Sequence, residues 1–150
     1  MNLVKTTKAS IEDLQRELSK LPQLELNTEH YFSNGMYCRK MRLPANVLIV
    51  GKVHKEDHFF ICASGDMIVK SEEGDFELHS GDVICSKAGT KRAILTLTEC
   101  IGINVHKTDK TDLEEIEKEL IEEDESAMFD SYNHLKAPLI EGVASCLSEQ

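Results

Sequence analysis

The sequence has no apolar run near the roughly 18 residues that cross a bilayer as a helix. Its first eight residues, Met1–Lys8, also lack an apolar core of signal-peptide length. Positive charge is scarce: 17 Lys and Arg stand against 27 Asp and Glu, a net charge of −10. Because nucleic acids and anionic membranes require a basic face, we expect a protein that binds neither. The missing signal segment and the cysteine usage predict a cytoplasmic protein.

Several chemical motifs are also missing. The five cysteines are odd in number and have no CxxC spacing, so a disulfide framework is not expected. There is no Gly-rich phosphate loop of the P-loop or dinucleotide type, and no serine nucleophile elbow. No cysteine stands in an evident nucleophilic setting. The sequence therefore lacks the patterns of the common nucleotide-binding and hydrolytic sites.

Short strands dominate the middle of the chain. From Leu24 to Val105, about eight apolar segments alternate with turn segments such as 43–46 and 71–75, and no helical pattern lies among them. At 150 residues one domain is expected. Closely spaced strands without helices predict an all-β sandwich or barrel.

Helical patterns flank the strands on both sides. Ser10 begins a capping pattern, and the helix is predicted to end near Leu21, before a proline. A second capping box begins at Thr111 and predicts a helix to about Glu123. The predicted organisation is an N-terminal helical extension (1–23), a barrel (24–106), a C-terminal helix (107–123) and a weakly patterned tail (124–150).

Two glycine-bounded segments carry the most specific pattern. The first runs from Gly51 to Gly65 and contains two histidines four residues apart, and the second runs from Gly81 to Arg92. They resemble the two motifs that build the pocket of cupins, which are small double-stranded β-helix barrels. The resemblance implies a cupin-type jelly roll with short N-terminal and C-terminal helices.

The resemblance also shows where this chain departs from the cupin pattern. The scaffold glycines at 65, 81 and 89 are kept. Of the four usual metal ligands only His54 keeps its identity, and the other three positions hold Lys52, His58 and Arg92. A guanidinium does not coordinate metals, and cations repel a dication in a pocket of low dielectric. The leading expectation is therefore a barrel with no metal cofactor.

The segment from about 30 to 123 also resembles small cupin-like proteins encoded by tailed bacteriophages. The matching stretches are Glu29–Phe32, Gly35–Arg39, Leu43–Ala45, Gly51–Lys55, Ser86–Arg92, Val105–His106 and Thr111–Glu114. This resemblance implies the fold rather than one established activity. For a phage-encoded protein the compartment would be the host cytoplasm.

The motif register places a basic cluster near one mouth of the barrel. Its members are Lys52, His54, His58, Lys87, Lys91 and Arg92. A local basic cluster on an acidic chain predicts a small anionic ligand, such as a nucleotide or a sugar phosphate. A phage-like origin favours sequestration of a host metabolite. The alternative is that Arg92 and the two loop lysines are solvated surface residues that do not enter the pocket.

A histidine-based metal site is the alternative. His54 and His58 lie on one face of an extended strand, and Gly102, Asn104 and His106 share one face of the last strand. If that face lines the barrel, His54, His58 and His106 could hold one divalent transition metal for an isomerase or oxygenase. If it faces solvent, His106 only ends the strand.

A third alternative is a virion or assembly protein in which the barrel is only a scaffold. In every case the Val- and Ile-rich strands leave edges that need covering. We therefore expect a homo-oligomer, most simply a homodimer.

Overall fold

The computed structural model describes residues 6–124 and 127–136. Nine strands lie between two helices: α1 (Lys8–Leu18), β1 (Asn27–Ser33), β2 (Met36–Leu43), β3 (Leu48–Val50), β4 (His58–Ser64), β5 (Met67–Ser71), β6 (Gly74–Leu78), β7 (Val83–Ser86), β8 (Arg92–Thr96), β9 (Cys100–Lys107) and α2 (Leu113–Leu120). No helix in this part of the chain is long and apolar enough to cross a membrane. Most of the predicted tail (124–150) lies outside the described residues, and so does Cys146.

The strands form two antiparallel sheets that face each other. The larger sheet has the order β1-β2-β9-β4-β7, and the smaller has the order β3-β8-β5-β6. The core between them is apolar and includes Met41, Leu43, Phe60, Cys62, Met67, Val69, Leu78, Ile94 and Cys100. This arrangement confirms the prediction of an all-β jelly-roll barrel with two short helices.

Strands β2 and β9 contribute both apolar and polar side chains to the barrel interior. Their pairing register aligns Leu43 with Cys100 at one end and Tyr37 with His106 at the other. Alternate side chains of β9 point inward, so Asn104 and His106 are buried whereas Ile103 is only half-buried. The interior is therefore apolar at one end and polar at the other, and the polar end carries the candidate site.

The sequence pattern does not predict strand β1. Its residues, NTEHYFS, are mostly polar, and none of them is buried. The strand pairs only with β2 and lies at the edge of the larger sheet. An edge strand can be polar because its outer side faces solvent, so it carries no clear hydrophobic alternation.

Helix α1 begins and ends earlier than predicted. Thr7 is its N-cap: the Thr7 side chain accepts from the Ser10 amide, and the Ser10 hydroxyl accepts from the Thr7 amide. Ser10 is thus the third helical residue rather than the cap. The helix ends at Leu18 instead of Leu21, and the Gln23 side chain donates to the carbonyls of both residues.

Helix α2 also differs from its predicted bounds. Asp112 caps it, one residue later than expected, by accepting from two backbone amides of the first turn. The helix ends at Leu120, before the predicted end at Glu123, because Ile121 forms a β-bridge with His54. This bridge fixes the end of α2 beside the polar end of the barrel.

Candidate functional site

A cavity of about 280 Å³ lies at the polar end of the barrel. Its polar side chains come mainly from β2, β8, β9 and the β3–β4 loop: Tyr37, Arg39, Lys52, His54, Arg92, Asn104 and His106. The volume lies just below the range of roughly 300–1,000 Å³ that is usual for small-molecule pockets. The site can therefore accommodate a small molecule.

Three histidines stack against one another beside this cavity. His54 lies in the β3–β4 loop, His58 begins β4, and His106 lies near the end of β9. The ring centroids are 4.1 Å apart for His54–His58, 4.8 Å for His54–His106 and 4.4 Å for His58–His106. The polar face of β9 does line the barrel, so His106 joins the two motif histidines.

The ring nitrogens of this cluster have few partners. His54 Nδ1 is buried without a hydrogen bond, and the ring nitrogens of His58 lie near the Glu56 backbone and the Asn104 side chain without forming a well-aligned hydrogen bond. One nitrogen from each of the three rings can be chosen so that all three lie within 4.8 Å of one another. Three nitrogens bound to one metal at about 2.1 Å lie roughly 3–3.6 Å apart, so the rings would have to move closer together to bind one ion. The donor set fits one divalent transition metal.

Burial keeps these imidazoles neutral. It lowers the pKa of His58 to about 4, with a further contribution from the positive charge of Arg92. It lowers the pKa of His106 to about 3, with further contributions from His58 and the nearby arginines. The pKa of His54 is lowered for the same reasons. Neutral imidazoles can each donate one hydrogen bond or bind a metal.

This neutrality predicts a pH-dependent stability for the metal-free protein. The unfolded state takes up protons near pH 6.5 whereas the folded cluster does not, so stability is full above pH 6.5 and falls toward pH 4. Each such histidine contributes up to about 1.4 kcal/mol per pH unit. Urea unfolding with a chelator at pH 7, 6 and 5 measures this. In His106→Gln the free energy of unfolding should fall less between pH 7 and pH 5 than in the wild type. A wild-type free energy of unfolding that does not change over this range would contradict the prediction.

Two arginines lie in the same cavity. Arg92 begins β8, its guanidinium lies 5.2 Å from the centre of the Phe60 ring, and its buried Nη1 has no hydrogen bond. Arg39 lies on β2, directly opposite Asn104. Burial lowers the pKa of both groups, but a guanidinium remains charged at any physiological pH. The cavity therefore contains two positive charges.

Neither arginine has a neutralising partner among residues 6–124 and 127–136. No ion pair there includes Arg39 or Arg92. The carboxylates that act on them at longer range are engaged elsewhere. Glu117 forms an ion pair with Lys52, and Glu73 accepts a 2.5 Å hydrogen bond from the Thr90 hydroxyl.

Lys52 lines the cavity but is not a free cation. Its ammonium pairs with Glu117 of α2 and donates to the Phe129 carbonyl oxygen at 2.8 Å. Lys52 therefore links the barrel to α2 and to the segment that follows it. Within the part of the chain that the structure describes, Arg39 rather than Lys52 is the second cation of the cavity without an ion pair.

The two loop lysines do not line the cavity. Lys87 is exposed, and its ammonium lies 3.4 Å from a carboxylate oxygen of Asp57. Lys91 is buried, with its ammonium 3.8 Å from Asp124. Of the six basic residues in the predicted cluster, the structure brings Lys52, His54, His58 and Arg92 together and directs both loop lysines to acidic partners.

Sequence reasoning did not identify three polar residues of the site: Arg39, Asn104 as a lining group, and Glu117. The alternation in β9 contained a signal for Asn104, which shares a face with His106. Arg39 is followed by Lys40, so two adjacent cations point to opposite faces, and only the pairing of β2 shows which one points inward.

Comparison with known proteins gives similarity in structure only. No protein-family model and no curated protein matches the sequence. KdgF from Halomonas sp. superposes with a TM-score of 0.51 at 12% identity, over 59% of this chain and 83% of that one. The Cnp3 cupin domain of Schizosaccharomyces pombe superposes with a TM-score of 0.50 at 17% identity, over 59% of this chain and 69% of that one.

At these identities the likeness concerns the fold and not the activity. The matched part is comparable in extent to the two-sheet barrel, whose strands run from Asn27 to Lys107. The motif glycines at 65, 81 and 89 all have positive φ angles in the structure, as tight turns between strands require. The chain therefore has the cupin fold that its two sequence motifs predict.

Proposed function

We propose that this barrel binds a small anionic molecule at its polar end. The observation that carries the proposal is the presence of Arg39 and Arg92 in one cavity without a carboxylate partner in the described residues. Buried charges are normally paired, and an oxyanion can accept charge-assisted hydrogen bonds from guanidinium groups. The Asn104 amide and the neutral imidazoles would supply further donors.

A second candidate is a metal-dependent cupin enzyme, an isomerase or an oxygenase. The observation that favours it is the cluster of His54, His58 and His106, each of which offers one ring nitrogen within 4.8 Å of the other two. These three residues would hold a divalent transition metal, which would polarise a ligand oxygen as a Lewis acid. Arg92 opposes metal binding because its charge acts on all three rings, and a bound anion would offset that repulsion.

One melting experiment separates the two candidates. Chelator-treated protein is titrated with orthophosphate in one arm and with Zn²⁺ or Co²⁺ in the other. We expect phosphate to raise the melting midpoint even when no metal is present, because it binds only the folded state. If metal also raises the midpoint, His106→Ala should remove the metal response and leave most of the phosphate response, which depends chiefly on the two arginines. A metal response without any anion response would favour the enzyme and overturn the anion site.

The biological setting that we propose is a phage-encoded protein that sequesters a host metabolite in the host cytoplasm. The resemblance of the motif-bearing segments to phage cupin-like proteins supports it, as does a cavity with unpaired cations. The competing scaffold role predicts association with phage particles and no response to anions or metals.

We also propose that the chain forms a homodimer through the outer face of the larger sheet. Phe59 and Val83 are about half exposed there, and Ile101, Ile103 and Val105 of β9 also point outward. An apolar sheet face of this kind is typical of a protein interface. Sedimentation at micromolar concentration should give twice the chain mass, and Phe59→Glu should give the monomer. A wild-type monomer would contradict this.

A further inference from the structure

The cavity also has many apolar lining residues that the anion site does not explain. The same cavity is lined by apolar side chains from separate parts of the chain, among them Leu21, Leu24, Leu48, Val50 and Leu113. Met41 and Ile94 line the cavity from the barrel interior.

Several of these apolar side chains remain uncovered. Leu21 is 58% exposed, Leu24 is 51% exposed and Leu48 is 37% exposed, and all three line the same cavity. Exposed large hydrophobic side chains that converge on one concave site indicate a partner that removes them from water. The volume of about 280 Å³ limits that partner to a small molecule.

Apart from the cations, the histidines and Asn104, the polar side chains that line the cavity include Gln15, Gln23, Asp130, Ser131 and Asn133, and most of them are engaged within the protein. Gln23 lines the cavity, but its side-chain amide already donates to two backbone carbonyls. Asn133 also lines the cavity, but its amide donates to the Thr28 hydroxyl at 2.9 Å. The hydroxyl groups of a sugar would find few replacements there for their hydrogen bonds to water.

We propose that the ligand is amphipathic: an oxyanion head, carboxylate or phosphate, joined to a short hydrocarbon chain or ring. This inference rests on the proposed anion site and specifies its ligand. The head lies against Arg39 and Arg92, and the hydrocarbon body covers the leucines at positions 21, 24 and 48. This ligand class replaces the nucleotide or sugar phosphate that the sequence suggested, because the chemistry of the apolar walls matches hydrocarbon.

A homologous series tests the ligand class. The even-numbered saturated carboxylates from butanoate to decanoate are titrated calorimetrically into metal-free protein, alongside the primary alcohols of equal length, orthophosphate and a hexose phosphate. We expect the Kd to fall about fourfold per added methylene until the cavity is full, and then to level off. Each alcohol should bind at least about tenfold more weakly than its acid. The hexose phosphate should bind no more tightly than orthophosphate.

A matched pair of variants locates the hydrocarbon body. Val50 lies on β3 and lines the cavity, so Val50→Phe should remove the gain from added methylenes and leave butanoate binding little changed. Val83 is exposed on β7 and does not line the cavity, so Val83→Phe should leave the whole series unchanged.

The outcomes separate this inference from the anion site. A Kd that does not change along the series, or a hexose phosphate that binds much more tightly than orthophosphate, overturns the amphipathic ligand and keeps the anion site. Alcohols that bind as tightly as their acids overturn the anion site and keep the apolar one. If no acid, alcohol or phosphate binds, both proposals are overturned.

Discussion

Replacing Arg92 by alanine is expected to weaken orthophosphate binding by roughly ten- to a hundredfold. Arg92 is the inward-facing cation with an unpaired buried Nη1. A buried charge-assisted hydrogen bond contributes about 1.5–3 kcal/mol, which corresponds to that change in Kd. Arg92→Lys should restore only part of the affinity, because an ammonium does not reproduce the planar, two-pronged geometry. Calorimetric titration at constant ionic strength measures both variants.

The stability of the ligand-free Arg92→Ala protein provides the internal check. Removing an unpaired buried charge relieves an electrostatic cost, so the melting midpoint should hold or rise despite the loss of the Phe60 contact. Arg42→Ala is the matched control, since Arg42 lies exposed on β2. It should change neither binding nor stability. A large loss of stability on removing Arg92 would mean that Arg92 is a structural partner rather than a ligand-binding group.

Gly65→Ala is expected to lower the free energy of unfolding by about 3–5 kcal/mol. Gly65 lies in the β4–β5 turn with φ +87°, a conformation that side chains other than glycine disfavour. An added Cβ would lie 2.3 Å from the Glu99 carbonyl oxygen and 2.7 Å from Cys100 Sγ. Because the first of these is backbone, the turn must shift to make room. Urea unfolding measures the loss.

Gly81→Ala separates the clash from the backbone strain. Gly81 has φ +93°, close to that of Gly65, but nothing lies within 4 Å of its added Cβ. It should therefore lose only about 1–2 kcal/mol, the cost of the left-handed conformation. Equal losses for the two variants would show that the close approach at Gly65 does not limit stability.

The fold could be predicted because its signals are local. Closely spaced strands, turn residues and the motif glycines all point to one barrel, and each is visible within a few residues of sequence. Strand β1 has no such signal, since an edge strand with polar residues needs no alternation. The helix caps were misplaced by a few residues because Thr7 and Asp112 have neighbours that could cap equally well.

The site could be predicted only in part, because many of its contacts join residues that are far apart in the sequence. Alternation along β9 placed His106 and Asn104 on one face, but only the folded barrel shows that this face is interior. The ion pair between Lys52 and Glu117 joins residues 65 positions apart, so no local pattern reports it. Lys87 and Lys91 lie within the second motif, which predicts that they reach the pocket, but in the structure their ammonium groups lie beside Asp57 and Asp124 instead.

Iodide soaked into crystals of the metal-free protein gives the most direct test of the anion site. Iodide needs no knowledge of the natural ligand, and its anomalous scattering identifies its position. The proposal predicts a strong iodide peak inside the cavity, beside the guanidinium groups of Arg39 and Arg92, that is lost in Arg92→Ala crystals. Iodide found only at exposed lysines such as Lys55 and Lys87, with none in the cavity, would contradict it.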